Sequence, residues 1–303
     1  MEEKRTPWYR KTRYIVMIGI LVVLLVFGLI SNTVVPTKSS DQSRLDRTIN
    51  YFAQNYNATT GLLPQATGSG VYWLYPDNYL VTLAIGRYNS GNATTSDFAQ
   101  ALYAAFDSYL STLPKQYDAS EYTALNSTAA SFGCVNQYSL AWTPQSEIAP
   151  ATARANIMTE VNTGSQSCSS GNFADILLLQ ALWYHRFGNS TAATHLYDLA
   201  SADFNGDGFA DAAYNGTSYQ TSKLALFVYT SSCLAINGTN YNSATKILFS
   251  MQDNSTGGFY QAYAPNTTAL NAPPLTPVGG VSTDATALAS LALEQLIHPS
   301  SGC

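Results

Sequence analysis

Apolar residues recur every three or four positions through most of this chain, and strict alternation is rare. "SRLDRTINYFAQNY" puts Leu45, Ile49 and Phe52 on one helical face. "DNYLVTLAIGRY" is apolar on most faces, as a buried helix is. "SDFAQALYAAFDSYLSTL" opens on a Ser96 or Asp97 cap and aligns Phe98, Leu102, Phe106 and Leu110. Residues 115–150 are irregular, and the helical period returns at Ala151–Val161, Phe173–Phe187, Thr191–Ala200, Tyr219–Ala235, Tyr241–Met251 and Thr283–Leu296. The pattern predicts about nine helices and few or no long strands.

One segment departs from this amphipathic rhythm. Tyr14 to Ile30, "YIVMIGILVVLLVFGLI", is uncharged and spans about 25 Å as a helix, near the lower limit for a membrane span. Lys4, Arg5, Arg10, Lys11 and Arg13 precede it, so the positive-inside rule leaves residues 1–13 as a cytoplasmic basic tail. A cleaved signal peptide is the alternative. The run is longer than a usual signal core and no small-x-small site follows promptly, which favours an uncleaved anchor at 14–30. Residues 31–42 then form a polar tether, and 43–303 form one extracytoplasmic domain on a single-pass protein of the cell membrane.

Beyond the anchor the chain carries nine Lys+Arg and seventeen Asp+Glu, a formal charge of −8. Such a balance excludes nucleic acid as a partner. Asn57, Asn92, Asn126, Asn189, Asn215, Asn237, Asn254 and Asn266 each head an N-x-T triplet. With 21 Asn in the chain, chance gives roughly two such triplets. Turn-favouring composition also raises the number of Asn and Thr. It does not explain why all eight triplets end in Thr and none in Ser. The expectation is a glycoprotein. Cys134, Cys168, Cys233 and Cys303 lie on the same side without a C-x-x-C pair, so two disulfides are expected. Cys134–Cys168 and Cys233–Cys303 are the favoured pairing of three.

"YFAQNYNATTGLL" (51–63) aligns without gaps to "LFSMQDNSTGGFY" (248–260), matching Phe52 to Phe249, Asn57 to Asn254, Thr59 to Thr256 and Gly61 to Gly258. In each copy a helix ends, a glycine turn follows, and an Asp-headed apolar helix comes later: "DNYLVTLAI" and "DATALASLAL". Recurring helical hairpins bury their apolar faces by stacking. With "MQDNSTGGFY", "STDATALASLAL" and "YWLYPDNYL", the chain resembles the α/α-toroid proteins, which include terpenoid cyclases, prenyltransferases and six-hairpin glycosidases. The resemblance covers about 43–297 and implies an all-α fold: helical hairpins stacked as an α/α toroid, incomplete at this length, with about 9–11 helices, preceded by one transmembrane helix. The Asp-rich signature of the cyclases and the zinc set of protein prenyltransferases are absent.

That resemblance places Asp77, Asp175 and Asp284 at inner-helix N-termini, where they either start their helices or face the cavity as acid, base or sugar-binding groups. Tyr72, Trp73, Tyr75 and Tyr79 surround Asp77 and offer faces for sugar rings. Glycoside hydrolysis needs two carboxyls, and Glu121 and Glu147 in the irregular middle are further candidates. His185, His195 and His298 lack metal-ligand spacing and are expected on helix surfaces. "DFNGDGFAD" sets Asp203, Asn205, Asp207 and Asp211 at positions 1, 3, 5 and 9 of a calcium loop, with the Phe209 carbonyl at 7. Tyr214 stands at position 12, so the expectation is a structural calcium rather than a switch, with a metal-free turn as the alternative. The implied function is a glycosidase or polysaccharide lyase, or else a noncatalytic protein binding glycan or a cell-envelope ligand.

Overall fold

The computed structural model describes residues 40–58, 60–67, 72–88, 97–105, 124–125, 132, 138–143, 156–162, 172–265, 275–299 and 303. Its elements belong to the unit Asp41–Cys303, α1 opening one residue earlier. In chain order they are α1 (Ser40–Asn55), β1 (Tyr72–Leu74), α2 (Tyr75–Arg87), β2 (Tyr138–Thr143), β3 (Asn156–Asn162), α3 (Ala174–Arg186) and α4 (Ser190–Ala202). There follow β4 (Tyr219–Gln220), α5 (Thr221–Cys233), α6 (Thr239–Ser250), β5 (Phe259–Pro265), β6 (Leu275–Ser282) and α7 (Thr283–Ile297). Residues 97–105 are also helical.

The all-α expectation is corrected by two three-stranded sheets. In one, β3 lies between β1, which it pairs in parallel, and β2, which it pairs antiparallel. In the other, β5 lies between β4 and β6, antiparallel to both. The helix expected over Ala151–Val161 is a strand across Asn156–Val161. Among the described residues no helix is long and apolar enough to cross a membrane. The expected anchor, Tyr14–Ile30, lies outside those residues, as does most of the 31–42 tether.

The core is built on α2, α3, α5 and α7. In α5, Leu224 through Ser231 are all buried, and in α7 the same holds from Ala285 through Gln295. A helix apolar on every face is stable only when neighbours cover every face. Here α7 packs between α2 and α5, while α5 also meets α3 and α6. Hydroxyls inside α5 are satisfied locally: Thr230 Oγ1 donates to the Leu226 carbonyl at 2.8 Å and Ser231 Oγ to that of Phe227 at 2.7 Å. By contrast α1, α4 and α6 bury one stripe each, headed by Leu45 and Ile49, by Ala193 and Tyr197, and by Ala244 and Leu248.

Each central helix is entered from an extended residue. Leu74, Phe173, Gln220 and Ser282 have ψ of 127°, 115°, 128° and 141°. Three of these approaches are strands: β1 pairs with β3, while β4 and β6 flank β5 in the other sheet. Through β5, the starts of α5 and α7 are tied to one sheet. The 63–67 loop is strapped to the same region. Thr283 donates from N to the Gln65 carbonyl (2.9 Å) and from Oγ1 to that of Pro64 (2.6 Å). Asn78 accepts from Leu63 N (2.8 Å) and returns a bond from Nδ2 to its carbonyl (3.0 Å).

The internal repeat exists, shifted by one residue from the ungapped alignment. Asn57 N donates to the Leu62 carbonyl (3.0 Å), and Asp253 N to that of Gly258 (2.8 Å). Asn57 Oδ1 accepts from Thr60 N, and Asp253 Oδ2 from Thr256 N. Gly61 and Gly257 both have positive φ, 72° and 84°. Asn57 therefore corresponds to Asp253, not Asn254. The backbone selects an Asx-type acceptor followed by Thr-Gly, and the sequons lie over that pattern without defining it.

Candidate functional site

Beside the starts of the four central helices lies a cavity of about 500 Å3. Leu74, Pro76 and Asp77 reach it from the start of α2, and Asp175, Ile176 and Leu179 from α3. Ser222, Lys223 and Leu226 come from α5, and Ser282, Asp284 and Leu288 from the start of α7. Gln65, Phe173, Ala213, Gln220 and Gln261 complete the wall. All three aspartates singled out in the sequence thus meet on one cavity.

Their placement follows from helix starts. Helix N-termini leave N–H groups unpaired and carry partial positive charge, which favours carboxylates there. Ser282 caps α7, its side chain accepting from Ala285 N, so Asp284 is a first-turn residue and not the cap. Asp77 is likewise inside α2, after Pro76, and Leu74 holds the cap position without a side-chain cap bond. Asp77 is 6 % exposed, and Asp284 is half-buried.

Asp175 has the best-defined surroundings. Its Oδ1 accepts from Ile176 N at 3.0 Å and lies 3.8 Å from Lys223 Nζ. Burial pushes its pKa up; Lys223 and the Ile176 N–H oppose this, and nearby Asp211 adds to it. The net result is a carboxyl that holds its proton to higher pH than an ordinary aspartate. Its side chain nevertheless keeps 38 % of its surface open.

Lys223 was not foreseen from the sequence. It lies in the first turn of α5, the end of a helix that disfavours a cation, with its side chain only 5 % exposed. Asp211 supplies the counter-charge through a direct ion pair. The Asp211 carboxylate also accepts from Ala174 N (2.9 Å) and Ala213 N (3.0 Å), so it ties the start of α3 to α5. The signal was faint: one Lys inside the apolar run "TSKLALFVY", with its partner twelve residues upstream.

The aromatic expectation fares differently. Trp73 and Tyr75 are buried at 7 % and 2 %, and neither they nor half-buried Tyr79 line the cavity. The side chain of Tyr72 lies outside the described residues. Phe173, 38 % exposed, is the aromatic ring on the wall. Glu121 and Glu147 are outside the description. His195 and His298 are exposed and His185 is half-buried, on or at the ends of helices.

The 203–211 loop closes on its own hydrogen bonds. Asn205 Oδ1 accepts from Asp207 N and Gly208 N, both at 3.1 Å, and Asn205 Nδ2 donates to Tyr219 Oη. Tyr263 Oη donates to the Asp207 carbonyl at 2.9 Å. Phe209 pairs with Phe204 across the turn. Asp203 caps the end of α4, and burial pushes its pKa up. Asp211, at position 9 of the expected loop, is paired through Oδ2 with Lys223. Among the described residues, no group of three or more His, Cys, Asp or Glu is arranged to hold a metal.

Cys233 and Cys303 form a disulfide, while Cys134 and Cys168 lie outside the described residues. Asn57, Asn189, Asn215, Asn237 and Asn254 are all exposed; Asn92, Asn126 and Asn266 are outside the description. No known protein family, curated protein or solved structure matches the chain.

Proposed function

We propose that this protein hydrolyses glycosidic bonds in the cavity at the central helix starts. The observation that carries the reading is the convergence of Asp77, Asp175 and Asp284 on one cavity with three glutamine amides and two serine hydroxyls. Hydrolysis of an acetal needs one carboxyl to protonate the leaving oxygen and a second to activate water or attack the anomeric carbon. Asp175 suits the acid, because it opens on the cavity and burial pushes its pKa upward. Asp77 or Asp284 supplies the second carboxyl. Amides and hydroxyls both donate and accept, as sugar hydroxyls require, and the Phe173 ring offers a face to sugar C–H groups.

The reading includes a location. Exposed sequon asparagines and the Cys233–Cys303 bridge support an oxidising, glycosylating exterior, with residues 1–30 as cytoplasmic tail and membrane anchor.

The test is turnover of a panel of oligosaccharides by the purified protein and by Asp77→Asn, Asp175→Asn and Asp284→Asn. Removal of the acid or of its partner is expected to lower kcat by about 10²- to 10⁴-fold with folding intact, since the amide neither exchanges the proton nor carries the charge. Saturable glycan binding without turnover in the parent protein would make it a noncatalytic binding protein instead.

A further inference from the structure

We infer that the cavity selects uncharged glycans and turns away uronates, sialylated and sulfated sugars, with Asp211 as the residue that enforces the choice. This rests on the carbohydrate reading above. The described wall carries three carboxyl groups, Asp77, Asp284 and the acid Asp175, and one cation, Lys223. An anionic sugar entering such a wall meets like charge from Asp77 and Asp284 at low dielectric, where repulsion is little screened. Lys223 is the group that could have offset this, and Asp211 occupies it. The Asp211 side chain is 1 % exposed, lies behind Lys223 and pairs directly with it. Asp211 is fixed in turn by Ala174 N and Ala213 N, so the lysine's counter-charge is built into the backbone of two segments. An ammonium already paired to a buried carboxylate has little left to give a ligand anion.

The remaining polar groups complement a neutral polyol. Gln65, Gln220 and Gln261 present planar amides, and Ser222 and Ser282 present hydroxyls. None of these adds charge, and each can reverse its hydrogen-bond sense to suit a hydroxyl. The same balance opposes the lyase reading, because elimination from a uronate needs the sugar carboxylate neutralised by the protein. The specificity is thus a matter of rejection as much as attraction.

Calorimetry on the full chain with thio-linked oligosaccharides, which resist hydrolysis, tests this. Neutral gluco-, manno- and galacto-oligosaccharides are compared with the matching oligouronides. The parent is expected to bind its best neutral ligand at least about tenfold more tightly than the matching oligouronide. Asp211→Asn removes the counter-charge of Lys223 and keeps an oxygen that can accept from Ala174 N. It should raise oligouronide affinity about tenfold and leave the neutral ligand within a factor of about three. If that variant does not fold, Gln261→Lys adds a cation to the wall and should move the ratio the same way. Equal or tighter oligouronide binding by the parent overturns the inference while leaving hydrolysis standing. So does a ratio unmoved in every variant that folds. Binding of neither series overturns the carbohydrate reading and the inference with it.

Discussion

At Asp253 burial raises the carboxyl's proton affinity, yet hydrogen bonds from the side chains and backbone N–H groups of Thr256 and Ser255 overcome it and bring the pKa to about 2. A carboxylate whose folded pKa lies below its unfolded one contributes stability above the unfolded pKa. That contribution is lost as pH falls through the folded value. The window is therefore about pH 4 down to about 2, and after solvent screening the contribution is on the order of 1 kcal/mol. Urea titrations at several pH values should show Asp253→Asn lowering stability at pH 6 and matching the parent near pH 2. A constant difference across that range would mean the loss is one of packing. The same local logic explains which site residues could be read from the sequence. Asp77, Asp175 and Asp284 head apolar helical runs, and a carboxylate at a helix start carries its reason within a few positions. Lys223 has its reason in Asp211, across a loop, and no periodic pattern points from one to the other. The rings of Trp73 and Tyr75 are buried off the cavity wall: composition shows that a stretch is aromatic, but tertiary packing decides which way the rings face.

The helices α1 to α7 were legible from their period, within a few residues at each end. The strands were not. β1 and β4 have three and two residues, too few for alternation to show. β6 contains Pro277, Gly279 and Gly280, which read as a breaker. Over 156–162, "NIMTEVN" has apolar spacing compatible with either state, and its pairing with β1 on one side and β2 on the other decides for the strand. β4 and β6 tie the starts of α5 and α7 to β5, so that side of the cavity depends on segments that local propensity hides. The repeated turns show a similar dependence on backbone. Gly257 has φ of 84°, and a Cβ there would overlap the Arg47 carbonyl oxygen of α1. Gly216 has φ of 83° with open space around it. Gly216→Ala should therefore cost about 1 kcal/mol, from conformation alone. Gly257→Ala should cost about 2–3 kcal/mol, because steric overlap adds to the strain. Chemical denaturation of the two variants checks this, and equal losses would mean that α1 moves aside freely.

Across the whole molecule, scarce charge and exposed sequons fit a surface kept soluble by neutral polar groups, and glycans would add to it. The Cys233–Cys303 bridge joins the end of α5 to the last residue, over a separation of 70. Its pairing was one of the two expected from the sequence, on the ground that it would pin the terminus. Closing a loop of that length restricts the unfolded chain, which in the entropic account is worth up to about 4 kcal/mol. Cys233 lies at the end of the central helix whose beginning holds Lys223 and the cavity. The bridge therefore secures the far end of the element on which the site depends. Cys303→Ser is expected to lower the unfolding free energy by about 2–4 kcal/mol. It should leave the proposed glycan binding unchanged at temperatures where the variant is folded, because the cavity sits at the opposite helix terminus. The parent treated with reductant should melt like the variant, and alkylation of the untreated native protein should leave both cysteines unlabelled. Labelling of Cys233 and Cys303 without reductant would place the domain in a reducing compartment. The exterior location, and the glycosylation that goes with it, would then be withdrawn.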